Sequence, residues 1–302
     1  MPIRRTPQTV AEAVRWTSSA LSRADVQQPR LDAELIVSHC LGLDRSVLPM
    51  RSQETLSDAQ LQQVRRLAKR RQNREPIQYI LGHWEFWSID LVVKEGALIP
   101  RPETETLVEA AIQELKGSSG LAPSARPLII DIGTGSGAIA IALAAELSGE
   151  CRIVATDISR AALAVAEANV SRIGLQHTVA LVCCDMADAL SPEAFAQRVE
   201  LIVCNPPYIR SQDLKRLQPE ISQFEPAIAL DGGASGLDFY PRLIETAAGL
   251  LKRGGALVCE IAPDMPPAIR DMQQAMRDRM SEPRFVADLS GRRRAAVFHR
   301  LK

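Results

Sequence analysis

An alternation that begins near Ile99 and runs towards the C-terminus constrains this chain most. Apolar, β-branched runs recur at 128–132, 152–156, 179–184, 201–204, 256–261 and 295–299. Segments with helical spacing fit between them, among them 138–148, 160–173 and 239–251. Strands that alternate with helices form parallel βαβ units, and such a sheet is buried on both faces. The pattern therefore predicts an α/β domain with a mostly parallel sheet and helices on both sides.

The N-terminal part reads differently. Residues 9–21 carry apolar side chains at helical spacing (Val10, Ala13, Val14, Trp16, Leu21), and Leu31, Leu35, Ile36 and Cys40 repeat the pattern. Ser57 is placed to cap a third helix through Arg71. Residues 85–93 are aromatic and β-branched, which suggests a short strand pair. We expect a small helical domain over 1–74, a linker with that strand pair over 75–98 and the α/β domain over 99–302. A chain of 302 residues is long enough for one substantial domain and a small second one. The third helix carries Arg65, Arg66, Lys69, Arg70, Arg71 and Arg74, with Arg66, Arg70 and Arg74 on one face. That face reads either as solvated surface or as a docking patch for an acidic partner or RNA.

Charge and cysteine usage narrow the setting. Lys plus Arg equals Asp plus Glu at 36 each, so no global basic field draws in nucleic acid. The first residues lack the apolar core of a secretory signal, and the longest apolar stretch, 138–145, is too short to span a bilayer. The six cysteines show no CxxC spacing and mostly sit in or beside apolar runs, as small core residues would. The four histidines are scattered without ligand spacing, so no metal site is expected. We expect a cytoplasmic protein without membrane association.

Asp131-Ile-Gly-Thr-Gly-Ser-Gly137 follows the first buried run and opens a helix. Glycine lets a backbone turn sharply and approach a ligand with no Cβ in the way. Ligands of open α/β sheets bind at the carboxyl ends of the strands, where this loop lies. Gly133, Gly135 and Ala138 also fit a dinucleotide fingerprint. Asp157, at the end of the second run, can accept hydrogen bonds from ribose hydroxyls or cap the next helix. NAD and S-adenosylmethionine both carry that ribose. Asp185, with Met186 beside it, can hold an adenine or cap a helix.

Asn205-Pro206-Pro207-Tyr208, after the fourth run, decides between these cofactors. Two prolines cannot continue a central strand, and they fix φ, so they stiffen a short loop. An amide nitrogen is a poor nucleophile because its lone pair is delocalised. Two fixed acceptors, the Asn205 side-chain oxygen and the Pro206 carbonyl, can hold the hydrogens of a planar NH2. They strengthen as that nitrogen gains positive charge during methyl transfer. Tyr208 is expected to lay its ring on the flat amide and exclude water. This chemistry needs no metal.

The glycine loop, Asp157 and the NPPY motif together resemble class I methyltransferases that act on amino or amide nitrogens. Arg30-Leu-Asp-Ala-Glu-Leu35, Glu75-Pro-Ile-Gln-Tyr-Ile-Leu-Gly82, Ile99-Pro-Arg-Pro-Glu-Thr-Glu105, Phe224-Glu-Pro226, Asp231-Gly-Gly233 and Gly236-Leu-Asp-Phe-Tyr240 narrow the resemblance. It is to the peptide chain release factor glutamine N5-methyltransferases, the PrmC/HemK family. The resemblance implies a Rossmann-like class I methyltransferase domain with a C-terminal antiparallel strand, preceded by an all-helical substrate-docking domain. It implies transfer of a methyl group from S-adenosyl-L-methionine to the glutamine of the GGQ motif in release factors, leaving S-adenosyl-L-homocysteine. On matching positions, Asp131, Gly133, Thr134, Gly135, Ser136, Gly137, Asp157, Asp185, Met186 and Asn205 would hold the cofactor. Asn205, Pro206, Pro207 and Tyr208 would grip the glutamine, with Asn205, Pro206 and Tyr208 catalytic. Two positions depart from the pattern: Ala262-Pro263 follows Glu260-Ile261 where relatives often have Gly, and Met186 stands where they often have an aromatic.

Three rival readings are weaker. An adenine-N6 DNA methyltransferase could use the same NPPY chemistry, but no long insertion is available to recognise DNA. An NAD-dependent oxidoreductase would leave NPPY unexplained. An idle cofactor-binding adaptor would not need NPPY intact. The expected partners are release factors, with no nucleic-acid substrate, and the expected state is a monomer.

Overall fold

The structure is a computed structural model that describes residues 8–117 and 126–301. In chain order its helices begin with α1 (Val10–Ser22), α2 (Pro29–Leu41), α3 (Asp58–Gln72), α4 (Ile77–Leu81), α5 (Glu105–Gly117) and α6 (Ala138–Glu146). They continue with α7 (Arg160–Ile173), α8 (Pro192–Phe195), α9 (Pro219–Ser222), α10 (Tyr240–Leu250) and α11 (Pro266–Gln274). The strands are β1 (His83–Phe86), β2 (Ile89–Val92), β3 (Leu128–Ile132), β4 (Arg152–Asp157) and β5 (Val179–Cys183), then β6 (Val199–Cys204), β7 (Leu251–Glu260), β8 (Arg284–Ala287) and β9 (Arg293–His299).

Two compact units result. One comprises the chain up to Gly82 together with 218–224, and the other comprises 83–217 and the chain from Glu225 onward. The helical unit thus reaches eight residues beyond 74, and the strand pair falls in the α/β unit.

In the helical unit, the N-termini of α1 and α3 are fixed by reciprocal capping. Thr9 accepts from the Glu12 amide while Glu12 reaches back, and Ser57 and Gln60 do the same for α3. The buried faces are Val10, Ala13, Val14 and Leu21 on α1, Ala33, Ile36 and Val37 on α2, and Leu61, Val64 and Leu67 on α3. Beside them lies a buried charge network. Arg71 donates to Asp32 at 2.7 Å and pairs with Glu220 of α9 at 2.7 Å, and Arg74 grips the same Glu220 at 2.6 and 2.8 Å. Arg70 pairs with Glu75. The basic face of α3 is therefore partly spent on internal ion pairs, and Arg65, Arg66 and Lys69 remain exposed.

In the α/β unit, a seven-stranded sheet runs in the order β5-β4-β3-β6-β7-β9-β8. β3 to β7 pair in parallel, while β9 is antiparallel to β7 and β8 is antiparallel to β9. The expected single antiparallel strand is thus joined by a second, β8, which is short, on the edge and without a buried face. The apolar runs of β3 and β6 are buried on both faces, as parallel strands between helix layers must be. The separate hairpin β1-β2 turns at Trp87 and Ser88, both in the left-handed region at φ 53° and 55°. A two-residue turn with positive φ at both positions matches the twist of its strands but is costly for a bulky residue. It is held by the Trp87 amide donating to Glu105 at 2.9 Å and by Phe86 and Leu91 entering the core.

Candidate active site

Chain order reverses between β3 and β6, and ligands of open α/β sheets bind at such a switch point. Register brings the motifs level there. Ile132 pairs with Thr156 on one side and Cys204 on the other, and Cys204 pairs with Cys259. The next residue on each strand is Gly133, Asp157, Asn205 or Glu260, so these four stand along one edge of the sheet.

A cavity of about 350 Å³ opens at this edge, lined by Gly133, Thr134, Gly135, Ser136, Asp157, Asp185, Met186, Asn205, Pro206 and Pro207 among others. The glycine loop fits a ligand placed against its backbone. Gly133 and Gly135 have φ 72° and 57°, and a Cβ on either would project into open space. Gly137 stands behind them as the α6 N-cap, packed against Ala166.

Asp157 accepts from the Gly135 amide at 2.9 Å and from the Ser159 amide at 2.8 Å. It braces the loop and faces the cavity, while Ser159 is the residue that caps α7. The helix-cap alternative for Asp157 is thereby excluded. Asp131 is fully buried beneath the loop. Its Oδ2 accepts from the Thr134 hydroxyl at 2.6 Å, its Oδ1 completes no hydrogen bond among the described residues, and the Ala140 amide in the first turn of α6 favours its charge. Burial, aided by the negative charge of Asp157, pushes its carboxyl up to about 7. Asp131 is absent from the cavity lining, so it braces the glycine loop from beneath through Thr134. Asp185 pairs with Arg242 at 2.8 Å and caps no helix, since the next helix begins at Pro192. Met186 has φ 51° and is 4% exposed, so it offers an apolar edge to the cavity.

At the other end, Asn205 Nδ2 donates to Thr104 Oγ1 at 3.3 Å. Thr104 Oγ1 donates to Glu260 at 2.7 Å, and the Tyr208 hydroxyl donates to the other Glu260 oxygen at 3.1 Å. Tyr208 does not line the cavity. Its hydroxyl is engaged with Glu260 and its ring packs beside a buried cluster that includes Tyr240 and Ile261. Burial and the Glu260 charge push that hydroxyl well above the ordinary tyrosine range, so it stays a donor. The ring is thus a brace behind the loop, in place of the expected lid on the substrate amide.

Several contributors escaped the sequence reading. Gly232 presses on the NPPY loop, where a Cβ would lie 2.8 Å from both the Pro207 carbonyl oxygen and Tyr208 Cα. Arg101 pairs with the buried Glu225, which also accepts from the Ile99 amide at 3.3 Å. This latch ties the IPRPETE segment to Pro226, and both line the cavity. Burial raises the Glu225 carboxyl although Arg101 opposes it. Only the partner residues in IPRPETE and Phe224-Glu-Pro226 hinted at the latch.

Comparison with known proteins agrees with this geometry. Residues 12–82 match the family model of the PrmC N-terminal domain, and residues 129–224 match a methyltransferase domain. The chain is 40% identical over 253 residues to the release factor glutamine methyltransferase of Geobacter sulfurreducens, covering 84% of each chain. It is 39% identical over 293 residues to that of Moorella thermoacetica, covering 97% of this chain and 98% of the other. It is 36% identical over 267 residues to the human MTRF1L release factor glutamine methyltransferase, covering 87% and 78%. Among solved structures, the human METTL16 catalytic domain bound to an RNA hairpin superposes with a TM-score of 0.55 at 16% identity, covering 82% and 84%. The METTL16 N-terminal domain with SAH gives 0.51 at 18%, also covering 82% and 84%. The latter two bear on the fold alone. The sequence relatives span nearly the whole chain, and with the N-terminal match they establish that it belongs to the release factor glutamine methyltransferase family.

Proposed function

We propose that this enzyme transfers a methyl group from S-adenosylmethionine to the side-chain nitrogen of the GGQ glutamine in a peptide chain release factor. The observation that carries the reading is the single cavity that joins the open glycine loop and Asp157 at one end to Asn205, Pro206 and Pro207 at the other. When bound, S-adenosylmethionine supplies an electrophilic methyl group on a sulfonium. Asp157 is placed to accept from the ribose hydroxyls while it braces the Gly135 amide. Met186 offers apolar surface to the adenine, and the loop amides suit the carboxylate of the charged tail, with Asp131 bracing the loop from beneath.

Asn205 anchors its Nδ2 on Thr104, which leaves Oδ1 to accept from the substrate NH2. With the Pro206 carbonyl it turns the nitrogen lone pair towards the methyl group and stabilises the positive charge that develops. The latch Arg101–Glu225 and the apolar wall of Pro100, Pro226 and Ile228 limit water at the reacting atoms. Among the described residues no helix is long and apolar enough to cross a membrane. A release factor substrate supports a cytoplasmic setting for the reaction. Adenine-N6 methylation has no specific observation in its favour.

The test is methyl transfer from labelled S-adenosylmethionine to a purified release factor, with the modified residue mapped by mass spectrometry. The label is expected on the GGQ glutamine. Label elsewhere, or none, would overturn the assignment.

A further inference from the structure

Glu260 ends β7 beside the strand that delivers Asn205, and it is 2% exposed. It forms no ion pair among the described residues, and its carboxylate is held by two hydroxyls, Thr104 at 2.7 Å and Tyr208 at 3.1 Å. A buried carboxylate with no cation in contact is expensive, and two neutral hydrogen bonds offset only part of that cost. Methyl transfer as described above does not use it.

The hydrogen-bond inventory gives it a task. An ionised carboxylate only accepts. Thr104 has one hydroxyl proton, and facing Glu260 it must give that proton to the carboxylate. The Thr104 oxygen can then only accept from Asn205. Asn205 must therefore turn its NH2 towards Thr104 and its carbonyl oxygen away from it. The order donor-to-acceptor thus runs Asn205 to Thr104 to Glu260. If Glu260 carried a proton, it could donate to Thr104, and Thr104 could in turn donate to the Asn205 oxygen. The amide would then rotate and present its NH2 where an acceptor is needed.

We propose that Glu260 is a positioning residue that, through Thr104, fixes which face of the Asn205 amide meets the substrate nitrogen, with Tyr208 bracing the carboxylate from the other side. This rests on the reading that Asn205 offers an acceptor to a substrate NH2. Tyr240 supports the arrangement by donating to the Glu260 backbone carbonyl at 2.8 Å. The groups around the carboxylate are Thr104 and Glu103 from the segment before α5, Cys204 from β6, Tyr208 from the loop after it, Cys259 from β7, Tyr240 from α10 and Arg294 from β9. Burial raises the Glu260 carboxyl above its ordinary range, and the Thr104 and Tyr208 hydrogen bonds with Arg294 only partly oppose this. Ionised Glu260 is the competent form, so the rate falls as pH drops through its raised value.

The experiment is single-turnover methyl transfer to intact release factor at saturating S-adenosylmethionine, with cofactor affinity measured by calorimetry. Glu260→Gln keeps shape but lets the side chain donate, and Thr104→Val removes the relay. Each is expected to lower kcat about tenfold, the worth of one neutral hydrogen bond, with cofactor affinity held within twofold. Thr104→Ser is expected to recover most of what Thr104→Val loses. The double variant should lose little more than either single one, because both act through one chain. The acid limb of the parent pH–rate profile should disappear in Glu260→Gln.

Rates within twofold of the parent for Glu260→Gln and Thr104→Val would overturn the proposal, as would additive losses or a change confined to KM. If Glu260→Gln fails to fold, the Val and Ser pair at Thr104 decides alone. Asn205→Ala separates the two levels. An inactive Asn205→Ala beside active Glu260→Gln and Thr104→Val sinks only the positioning role, whereas an active Asn205→Ala sinks the amide-methylation reading itself.

Discussion

The two units hold their buried acids differently, although Glu225 of the α/β unit is paired with Arg101 much as the helical acids are paired with arginines. In the helical unit Asp32 and Glu220 share Arg71, and Arg74 closes the set, so the charges balance at hydrogen-bonding distance. Burial would raise the Glu220 carboxyl, yet the bonds from Arg74 and Arg71 outweigh it and hold the group below its ordinary range. At Asp32 burial prevails over Arg71 and the shift is upward. In the α/β unit Asp131 and Glu260 are buried at least as deeply, and neither forms an ion pair among the described residues. Hydroxyls hold them, and both carboxyls are pushed up. A balanced network fixes a chain segment in place. On the reading proposed above, an unbalanced carboxylate beside the cavity sets the hydrogen-bond polarity of the groups that line it. The first kind of site should therefore reveal itself in stability, and the second in rate, affinity and pH dependence.

Asn205→Ala is the largest expected break. It removes the acceptor at the end of the hydroxyl-held chain, and loss of one preorganised polar group aimed at a transition state costs about 10²–10³ in kcat. Stability and cofactor affinity should change far less. Single-turnover transfer at saturating substrates measures it, and a rate within a few-fold of the parent would remove Asn205 from the mechanism.

Glu220→Ala should show the opposite profile. It strands Arg74, 19% exposed, and leaves Arg71, 7% exposed, with Asp32 as its remaining carboxylate. Breaking a fully buried pair costs roughly 3–5 kcal/mol, and we expect about 2–3 because water can reach Arg74. Denaturant titration reads that loss, while kcat of the folded variant should stay near the parent. A large kcat effect at full stability would mean that this network serves catalysis too. The same network bears on truncation. Removing the helical unit up to Gly82 also strips Glu220 of both arginines, so a truncated enzyme reports more than lost docking.

Much of this contrast was legible in the sequence only on one side. The buried strands, the glycine loop and the NPPY motif are local, with period and spacing that survive without tertiary context. Ser57 as a cap was equally local, and the capping box is present. What sequence could not show is pairing across distance. Glu220 sits on a four-residue helix with no periodicity, far from Arg71 and Arg74 in the chain. Thr104 and Glu260 are 156 positions apart, and neither looks unusual alone. Tyr208 was misjudged for the same reason, because its partner Glu260 lies on another strand. The hairpin was expected, but not its turn through Trp87, which has positive φ and an amide held by Glu105 at the start of α5.

Asp157→Asn sharpens the comparison at the cofactor end, where an acid is braced by amides. The variant keeps shape but weakens charge-assisted bonds to a ribose, at a cost of roughly 1.5–3 kcal/mol of binding. Calorimetry should show S-adenosylmethionine affinity reduced with little change in the thermal midpoint of the free enzyme. Unchanged affinity would mean that Asp157 only braces the Gly135 amide.

Asp131→Asn tests the effect most specific to a buried acid without an ion pair, and it is read only as a pH dependence of stability. The Asp131 carboxyl stands at about 7 in the folded protein, raised chiefly by burial. The unfolded chain has an ordinary aspartate near 4, so the folded state binds the proton more tightly. The stability this contributes is complete below about pH 4 and is lost as pH rises from there towards 7. One proton sets the slope at no more than about 1.4 kcal/mol per pH unit within that window. Asparagine cannot titrate, and it can still accept from the Thr134 hydroxyl. The variant should therefore gain relative to the parent as pH climbs from 4.5 to 7.5, with the difference levelling off above that. Denaturant midpoints of both proteins across this range supply the measurement, without cofactor present. Glu220→Ala offers a control of opposite sign below this range, since the depressed Glu220 carboxyl contributes stability that is lost only as pH falls below about 4.5. Parallel curves for Asp131→Asn and the parent would show that the carboxyl under the glycine loop ionises as easily as an exposed one, and the contrast between the two units would then rest on Glu260 alone.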